Sequence, residues 1–329
     1  MSKTYRAAVC TDLSGPQAME IQEKIAPPLE PGQVRIALKA AGLNFPDLLM
    51  TYGKYQFRPD PPFVPGLDAA GEISEVAPDV SRWKIGDRVM AGSKGGTFAE
   101  QMVVPAEACS TLPPALSYEE GACWQTAANT AWHALVEQGK LIAGETVLIL
   151  GASGGVGMAA IKLSKDIGAI VIGTGSTEQK RQIILEAGAD HALDPADPKL
   201  ADKVKSITNG VGAEVVYDPV GGDLATKATR SIAHGGRYLI IGFASGDIPS
   251  FPANHILIKT YTVIGVRAGA TPRRVPEIAT RQKQALIELA ERGAMRPHIS
   301  HRFALEEIED ALLALEKREV VGRAVLLMD

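Results

Sequence analysis

The chain has 329 residues, of which 46% are hydrophobic and 22% charged, and its formal net charge is −4 at pH 7. This balance excludes a disordered chain, and the length predicts two domains because most single domains have about 100–200 residues. Acidic and basic residues are interspersed, so we expect neither nucleic acid nor a membrane as a partner.

The N-terminus, MSKTYRAAVC, carries no long apolar run, and no later segment approaches the roughly 18 uncharged apolar residues of a membrane span. We therefore expect a cytoplasmic protein. The cysteines are Cys10, Cys109 and Cys123, which are far apart and odd in number. This spacing favours buried thiols over a disulfide framework or a cysteine-rich zinc lobe.

Residues 1 to about 120 are predicted to form short strands separated by glycine and proline. The clearest strands are QVRIALKAAG, AAGEISEVA, GDRVMAG and TFAEQMVVP, which indicate a compact, antiparallel, barrel-like domain. The next segment, PPALSYEEGACWQTAANTAWHALVEQGKL, has helical spacing, and Ser117 with Glu120 forms a capping box at its start. We expect this helix to bridge the two domains.

From Thr146 the pattern changes to apolar strands that alternate with glycine loops and helices. The predicted strands are TVLILG, AIVIGTG, HALD, AEVVYDPVG, GRYLIIG and YTVIGV. This alternation predicts right-handed crossovers and a parallel sheet covered on both faces. Two helices and the strand RAVLLM follow, and the simplest packing returns this tail to the first domain.

A glycine-rich loop joins the first of these strands to its helix, in LILGASGGVGMAAIK. Glycine lets the backbone turn sharply and lie against a pyrophosphate, which the N–H groups of the helix start receive. Read as G-x-G-x-x-G, the motif has alanine at its first position, so it is degenerate. Its place between strand and helix favours dinucleotide binding over a tight turn without a ligand. The residues assigned to the cofactor here are Ala152, Gly154, Gly155, Val156 and Gly157.

The end of the next strand, VIGTGSTEQKR, indicates which cofactor binds. An NAD site usually has an acid here for the ribose 2′-hydroxyl, whereas this chain has Thr174 and Ser176 before any acid. Hydroxyl groups and Lys180 suit a 2′-phosphate, so we predict NADPH. We interpret Arg181 as a solvated surface charge.

The motifs NFPDLL, GKYQFRPDPPFVPGLDAAGE, GDRV, GASGGVG, GADH, VVYDPVGG and IIGFASG occur in this order along the chain. The chain thereby resembles the zinc-independent quinone oxidoreductases of the medium-chain dehydrogenase/reductase superfamily. The resemblance implies an α/β fold with a GroES-like catalytic domain, residues 1–124 and 267–329, and a Rossmann domain, residues 125–266. It also implies a homodimer.

The same resemblance implies that NADPH binds between the domains. Carried over by position, Ser176, Lys180 and Arg318 surround the 2′-phosphate, and Pro195 stands where relatives often have a tyrosine. Gly242, Phe243 and Val266 become backbone or packing contacts of the nicotinamide.

Zinc-containing relatives carry metal donors at the positions of Asn44, Leu67 and Thr126. An amide, an alkyl group and a hydroxyl do not supply the three ligands of catalytic zinc. Cys123, three residues before Thr126, remains open as an unusual zinc ligand. Without a Lewis acid, alcohol oxidation is disfavoured. Reduction of a quinone or an activated α,β-unsaturated carbonyl is favoured instead, because hydrogen bonds can stabilise the developing oxyanion.

The resemblance makes Asn44 and Thr126 the first candidates for positioning cofactor or substrate. Asn44 also has a structural interpretation as a helix N-cap, with Asp47 three positions later. Tyr55 matches a recurring family tyrosine and could donate a hydrogen bond. A second family tyrosine position is Leu49 here, so we expect solvent to supply the proton.

The role of Arg267 remains open, because it either faces an anionic or acyl-CoA substrate or is a surface or interface charge. Two alternative functions also remain open. The first is an enoyl-thioester or alkenal reductase with the same hydride chemistry. The second is a non-catalytic NADPH-binding protein with a structural or redox-sensing role.

Overall fold

The computed structural model describes residues 4–270 and 274–328. Residues 1–3, 271–273 and 329, which the expected domain limits include, lie outside the described residues. Contacts divide the chain into two compact units, Met1–Thr126 with Ala290–Asp329, and Ala127–Leu289.

Fifteen strands and nine α-helices occur in the described residues. The strands are β1 Thr4–Cys10, β2 Met19–Ile25, β3 Gln33–Gly42, β4 Asp68–Val76, β5 Arg88–Gly92, β6 Gln101–Pro105, β7 Cys109–Thr111, β8 Thr146–Ile149, β9 Ile170–Thr174, β10 His191–Leu193, β11 Ala213–Asp218, β12 Ile232–Ile240, β13 Thr262–Gly265, β14 Ile299–Ala304 and β15 Arg323–Leu327. The helices are α1 Phe45–Thr51, α2 Tyr118–Trp132, α3 Gly155–Ile167, α4 Glu178–Glu186, α5 Leu200–Ile207, α6 Gly222–Ala228, α7 Ala253–Lys259, α8 Pro276–Glu291 and α9 Ile308–Glu316.

The first unit is β-rich. Its main sheet has the order β14-β15-β3-β4-β5-β7, β6 also pairs with β3, and β1 pairs with β2 in a separate antiparallel ribbon. Apart from the parallel β14/β15 pair, these pairings are antiparallel. The central strand β3 is flanked at Gly42 by Asp68 of β4 on one side and by Val325 of β15 on the other. This register brings the start of β4 and the start of β15 to the same place.

The second unit contains a six-stranded parallel sheet in the order β10-β9-β8-β11-β12-β13. This is the doubly wound order, in which the direction of winding reverses between β8 and β11. All four residues of β8 are buried, as expected for a strand covered on both faces. The α/β class and the parallel sheet predicted from the sequence are confirmed.

The boundary where the chain returns to the first unit differs from the expected one. The sequence analysis placed it at residue 267, whereas the structure places it at Ala290. The reason is α8, whose Gln282 Nε2 donates to Asn129 Oδ1 at 2.8 Å within the second unit. The amphipathic pattern of α8 shows that the helix buries one face, but it does not tell which core receives that face.

The bridging helix begins as predicted. The Ser117 N–H donates to Glu120 Oε2 at 2.8 Å, and the Glu120 N–H donates to Ser117 Oγ at 3.1 Å. After α2 the chain continues as a π-helical turn, His133–Gln138, in which His133 is buried. Within residues 4–270 and 274–328, every helix is too short or too polar to cross a lipid bilayer.

Candidate functional site

The glycine loop lies at the carboxyl end of β8, where open parallel sheets bind ligands. Gly151 has a φ of 57°, a conformation that side chains other than glycine rarely adopt. Gly154 caps α3, whose first N–H groups have no intrahelical partner. These N–H groups and the positive end of the helix form a site that suits a pyrophosphate.

The predicted loop residues divide into two groups. Ala152 and Gly157 are buried, and a Cβ on Gly157 would lie 2.7 Å from the Ala152 Cα. They therefore hold the loop against the helix. Gly154, Gly155 and Val156 are half-buried and lie at the start of α3, where a ligand can reach them.

Thr174, at the end of β9, supports the loop from below. Its Oγ1 accepts a hydrogen bond from the Gly151 N–H, and its carbonyl accepts one from the Ala152 N–H, both at 3.1 Å. Thr174 is buried, so the structure gives it a scaffold position beneath the loop.

The segment after β9 carries the residues predicted for the 2′-phosphate. Ser176 is exposed, and Thr177 caps α4 by accepting a hydrogen bond from the Lys180 N–H at 3.2 Å. Arg181 donates from Nη1 to the Gly175 carbonyl at 2.9 Å and from Nη2 to Glu178 Oε2 at 2.7 Å. The guanidinium is thus held by local contacts.

The carboxyl ends of β11, β12 and β13 lie along the same edge of the sheet. Buried Asp218 accepts hydrogen bonds at Oδ1 from the N–H groups of Val220 and Gly221, at 2.8 and 2.9 Å, and at Oδ2 from the Tyr238 hydroxyl at 2.8 Å. Burial raises the pKa of Asp218 and these donors oppose the shift. Asp218 therefore fixes the turn after β11.

The nicotinamide contacts predicted from the family lie beside this turn. The Gly242 N–H donates to the Asp218 carbonyl at 3.3 Å, and the Val266 N–H donates to the Ile240 carbonyl at 2.9 Å. Phe243 is 38% exposed. Arg267, also exposed, follows β13 at the same edge.

In the first unit, Asn44 is the N-cap of α1 and is buried. Its backbone N–H donates to Asp47 Oδ2 at 2.8 Å, as the cap interpretation predicts. Its side-chain Nδ2 donates to the Gly42 carbonyl and to Asp68 Oδ2, both at 3.3 Å. The amide is therefore bound on its donor side within the protein.

Asp68 brings Asn44 and Thr126 together. The Thr126 hydroxyl donates to Asp68 Oδ1 at 2.7 Å, and the Thr126 N–H donates to Asp68 Oδ2 at 3.2 Å. Arg323, from β15, donates from Nη1 to Asn44 Oδ1 at 2.8 Å and lies 3.6 Å from Asp68 Oδ2 through Nη2. Asn44, Asp68 and Arg323 are buried, whereas Thr126 is half-buried.

Two carboxyl groups share this buried cluster with one guanidinium. Burial raises the pKa of Asp47 to about 8, and the nearby Asp68 charge adds to the shift. Burial also raises the pKa of Asp68, against the opposing effect of Arg323 and of the Thr126 and Asn44 hydrogen bonds. Asp68 has more donors than Asp47, so we assign the carboxylate to Asp68 and the bound proton at neutral pH to Asp47.

The donors at the three former metal positions do not fit a catalytic zinc ion. Asn44 and Thr126 are bound to Asp68, and Leu67 offers no donor atom. Cys123, the possible unusual ligand, donates from Sγ to the Ala324 carbonyl at 3.6 Å, and burial raises its pKa to about 11. It is therefore a thiol, whereas zinc binds the thiolate. Groups of three or more His, Cys, Asp or Glu side chains able to hold a metal are absent from the part of the chain described.

Two further predicted residues, Tyr55 and Arg318, belong to the first unit. Tyr55 is half-buried in the loop after α1, where its carbonyl accepts a hydrogen bond from Arg58 Nε at 3.1 Å. Arg318 is exposed with a φ of 59° after α9, in the first unit, whereas Ser176 and Lys180 belong to the second. Their roles remain predictions.

Sequence reasoning missed Asp68, Arg323 and Asp218. A signal for them was present, because each is a charged residue at one end of its strand and directly beside apolar residues, in LDAAGEI, GRAVLLM and AEVVYD. A charge buried in this way needs a partner, so two such residues on strands of one sheet predict a pair.

Comparisons with known proteins agree with this architecture. Residues 30–114 match the alcohol dehydrogenase GroES-like domain, and residues 155–284 match the family described as zinc-binding dehydrogenase. The quinone oxidoreductase-like protein 2 homolog of Nematostella vectensis is 35% identical over 98% of this chain and 89% of its own length.

Solved structures give the same result. A probable oxidoreductase from Mycobacterium abscessus is 34% identical, with a TM-score of 0.90 over 100% of both chains. The Escherichia coli quinone oxidoreductase complexed with NADPH is 28% identical, with a TM-score of 0.87 over 99% of this chain and 100% of that one.

A GroES-like domain joined to a Rossmann domain defines the medium-chain dehydrogenases and reductases, and the chain has both. Within that superfamily, it belongs to the zinc-independent quinone oxidoreductase family. The family assignment and the fold predicted from the sequence are confirmed.

Proposed function

We propose that this protein is an NADPH-dependent reductase that transfers hydride to a quinone or to an activated, α,β-unsaturated carbonyl compound. The observation that carries the proposal is the glycine loop at the reversal point of the sheet, next to a β9 end that has Ser176 and no acid. The known structure of a family member with NADPH supports the same cofactor.

The residues of the second unit fit the cofactor. The start of α3, with Gly154, Gly155 and Val156, would receive the pyrophosphate, and Ser176 with Lys180 would receive the 2′-phosphate. The edge formed by Gly242, Phe243 and Val266 would contact the nicotinamide. In the first unit, Arg318 is proposed as a further phosphate contact.

The bound cofactor supplies a hydride, and the chain's own residues must orient the acceptor and exclude water. The side chains of Asn44, Leu67 and Thr126 do not fit a metal ion, so they cannot hold a Lewis acid that would polarise a simple carbonyl. A conjugated acceptor needs less polarisation, because hydride arriving at its far carbon spreads charge onto an oxygen. This favours quinones and enones over alcohols and ketones.

The roles proposed for Asn44 and Thr126 are positional. Their donor groups are committed to Asp68 and Gly42, so a developing oxyanion would receive its hydrogen bond from another group. Tyr55 remains the proposed donor, and solvent supplies the proton to the product.

A second candidate function is an enoyl-thioester or alkenal reductase with the same hydride chemistry. Exposed Arg267 at the carboxyl end of β13 favours it, since a guanidinium can pair with the phosphates of an acyl carrier. Replacement of Arg267 by alanine should then raise KM for an acyl-CoA and leave KM for a neutral enone unchanged.

The experiment that tests the proposal is NADPH oxidation measured across a panel of quinones, enones, alkenals and acyl-CoA thioesters. Turnover of quinones or enones supports the leading proposal, and turnover of acyl-CoA without quinone selects the second. NADPH binding without oxidation by any acceptor would select the third alternative, a non-catalytic NADPH-binding protein.

We also propose a homodimer and a cytoplasmic location. The strand β13 is at the edge of the parallel sheet, and two residues of the adjacent α7, Leu257 and Ile258, are 78% and 72% exposed. An edge strand beside exposed apolar side chains is a surface that a second copy can cover.

A further inference from the structure

Two loops of the first unit are bound to each other beside Leu67. They are the α1–β4 loop, residues 52–67, and the β5–β6 loop, residues 93–100. The Ser93 N–H donates to the Leu67 carbonyl at 2.9 Å, and the Gly96 N–H donates to the Val64 carbonyl at 2.8 Å. A Cβ on Gly95 would lie 2.9 Å from the Val64 carbonyl oxygen, so the close approach of the loops leaves no room for a side chain there. The two loops therefore hold a fixed position relative to each other.

Lys94 and Phe57 bring the side chains of the two loops together. The Lys94 Nζ lies 5.6 Å from the centre of the Phe57 ring, within the range of a cation–π contact. Phe57 is 39% exposed, and Lys94 is exposed as well. The pair thus presents an apolar ring surface and an ammonium group side by side to solvent.

Positive charge is concentrated on these loops, although the whole chain is acidic. Their basic residues are Lys54, Arg58 and Lys94, and their acids are Asp60 and Glu100, of which Glu100 is already bound to an arginine. Within residues 4–270 and 274–328, the three basic residues form no ion pair with a carboxylate. Their charges are therefore available to an anionic group of a ligand.

The Lys94 and Phe57 pair lies close to the buried polar cluster of the same unit. Leu67 is half-buried and directly precedes Asp68, the acceptor at the centre of that cluster. Lys94 directly follows Ser93, whose N–H bonds to the Leu67 carbonyl. Standard backbone dimensions then keep the Cα atoms of Lys94 and Leu67 within about 10 Å of each other.

We propose that Lys94 and Phe57 form a specificity site for acceptors that carry a carboxylate beside an apolar ring. The ring of the acceptor packs on the exposed surface of Phe57, and its carboxylate pairs with the Lys94 ammonium group, while Lys54 and Arg58 add to the attraction. The inference rests on the proposed function, because it takes the acceptor to bind beside Leu67. It deepens that function by naming the acceptor class as anionic.

The expected selectivity is modest. An ion pair at an exposed site contributes little to binding, and salt weakens it. Lys94 has an advantage over an ordinary surface lysine, because the Phe57 ring removes water from one side of the ammonium group and holds it next to the apolar surface. A neutral acceptor gains only the ring contact, so charge should distinguish the two kinds of acceptor.

The test compares two acceptors that differ in charge, a naphthoquinone with a propionate side chain and the methyl ester of the same compound. The saturated chain leaves the ring and its reactivity unchanged. Their dissociation constants are measured by calorimetry with the full-length protein and NADP+, so that no reduction occurs. We expect the wild type to bind the acid about fivefold more tightly than the ester at low salt, and to lose most of this preference at about 0.5 M salt.

Lys94→Gln removes the charge and should reduce the preference to less than about twofold without changing the Kd of the ester. Lys94→Arg should keep the preference. Lys84→Gln is the matched control, because Lys84 is an exposed lysine in the turn before β5 and its loss changes the net charge equally. Phe57→Ala should weaken binding of both acceptors. These positions are exposed, so we expect the variants to fold, and thermal unfolding is recorded for each.

Failure of the proposed function and failure of this inference are visible separately. NADPH oxidation by the neutral ester is measured with the wild type, and its absence bears on the proposed function alone. The inference is overturned if the acid and the ester bind equally to the wild type or do not bind. An equal loss of preference in Lys94→Gln and Lys84→Gln, or unchanged binding of both acceptors by Phe57→Ala, would overturn it as well.

Discussion

A methyl group on Gly157 would meet the Gly151 carbonyl oxygen at 2.6 Å and the Ala152 Cα at 2.7 Å. The same addition on Gly154 finds its nearest neighbour, the Gly151 carbonyl oxygen, at 3.4 Å. Gly154 also has a φ of −85°, which alanine adopts without strain. The two glycines therefore serve different purposes, since Gly157 allows the loop to pack on α3 and Gly154 leaves the surface of the loop open.

Replacing each glycine by alanine should separate stability from binding. We expect Gly157→Ala to lower the melting temperature by several degrees, because the backbone atoms it meets cannot move aside. Gly154→Ala should melt within about one degree of the wild type but bind NADPH at least about tenfold more weakly, since its methyl group would occupy the place of the pyrophosphate. Calorimetry and a fluorescence titration measure the two quantities. Normal NADPH binding by a stable Gly154→Ala protein would contradict the phosphate role of the loop.

Cofactor preference should depend on Lys180 and not on Arg181. The Arg181 guanidinium is held by Glu178 and by the Gly175 carbonyl, whereas Lys180 is the proposed phosphate contact. Lys180→Ala should lower kcat/KM for NADPH about tenfold with little change for NADH, the scale of one charge-assisted hydrogen bond. Arg181→Ala is the matched control and should change the NADPH to NADH ratio less than about twofold. The reverse ranking would assign the phosphate to Arg181.

At the scale of an element, α1 shows how a cap serves two purposes. The sequence predicted Asn44 as its N-cap, and the Asn44 N–H does bond to Asp47. The further bonds of Asn44 to Asp68 and Arg323 were not foreseen, because they come from strands 24 and 279 positions away along the chain. Local spacing predicts a cap, but it carries no information about which distant strand lies beside it.

The buried acid in α1 should make stability depend on pH. The pKa of Asp47 is about 8 in the folded protein, above its value of about 4 in an unfolded chain. The folded state therefore binds a proton that the unfolded state releases, and this contribution to stability is complete below about pH 4 and is lost as the pH rises to about 8.

Asp47→Asn removes the loss of stability at rising pH. The amide oxygen of the new side chain still accepts the Asn44 N–H, and the amide never ionises. We expect the melting temperature of the variant, relative to the wild type, to increase between about pH 4 and pH 8 and to level off above pH 8. The control is Asp310→Asn in the first turn of α9, an exposed acid whose replacement should give a curve parallel to that of the wild type. If Asp47→Asn also gives a parallel curve, Asp47 is already ionised in the folded protein.

Several strands could be predicted, since β3 was expected at QVRIALKAAG and is found at Gln33–Gly42, whereas β1, β2, β7 and β14 were not among the strands named from the sequence. The short helices α5, α6 and α7 were not predicted. They have seven or eight residues each, too few for an amphipathic period to stand out, and α7 leaves two apolar residues, Leu257 and Ile258, exposed.

For the whole molecule, the sequence predicted two domains. It placed the return of the chain to the first domain at residue 267, whereas the contacts place it at Ala290. The helix α8 has an apolar face that either core could receive, and contacts such as those of Gln282 with Asn129 and of Arg281 with Glu137 show that most of it belongs with the second unit. Composition and periodicity show which face of a helix is buried. They do not show which of the two cores that face packs against, because this depends on how the whole chain folds.

The proposed dimer can be tested through α7. Ile258→Glu should convert a dimer to a monomer, because it places a charge in an apolar surface beside the edge strand β13. Ile85→Glu is the matched control, since Ile85 is 73% exposed against 72% for Ile258 and lies in the other unit. Light scattering after size-exclusion chromatography gives the mass. A dimer that persists in Ile258→Glu and dissociates in Ile85→Glu would place the interface elsewhere.

The central claim is that the protein transfers a hydride from NADPH to a conjugated acceptor without a metal. The most direct measurement is mass spectrometry of the reduced enone formed from NADPH that carries deuterium at both C4 positions, in the presence of a chelator. We predict one deuterium atom in the product, at the carbon β to the carbonyl, and an unchanged rate with the chelator. Product without deuterium, or a reaction that stops when the metal is removed, would contradict the account.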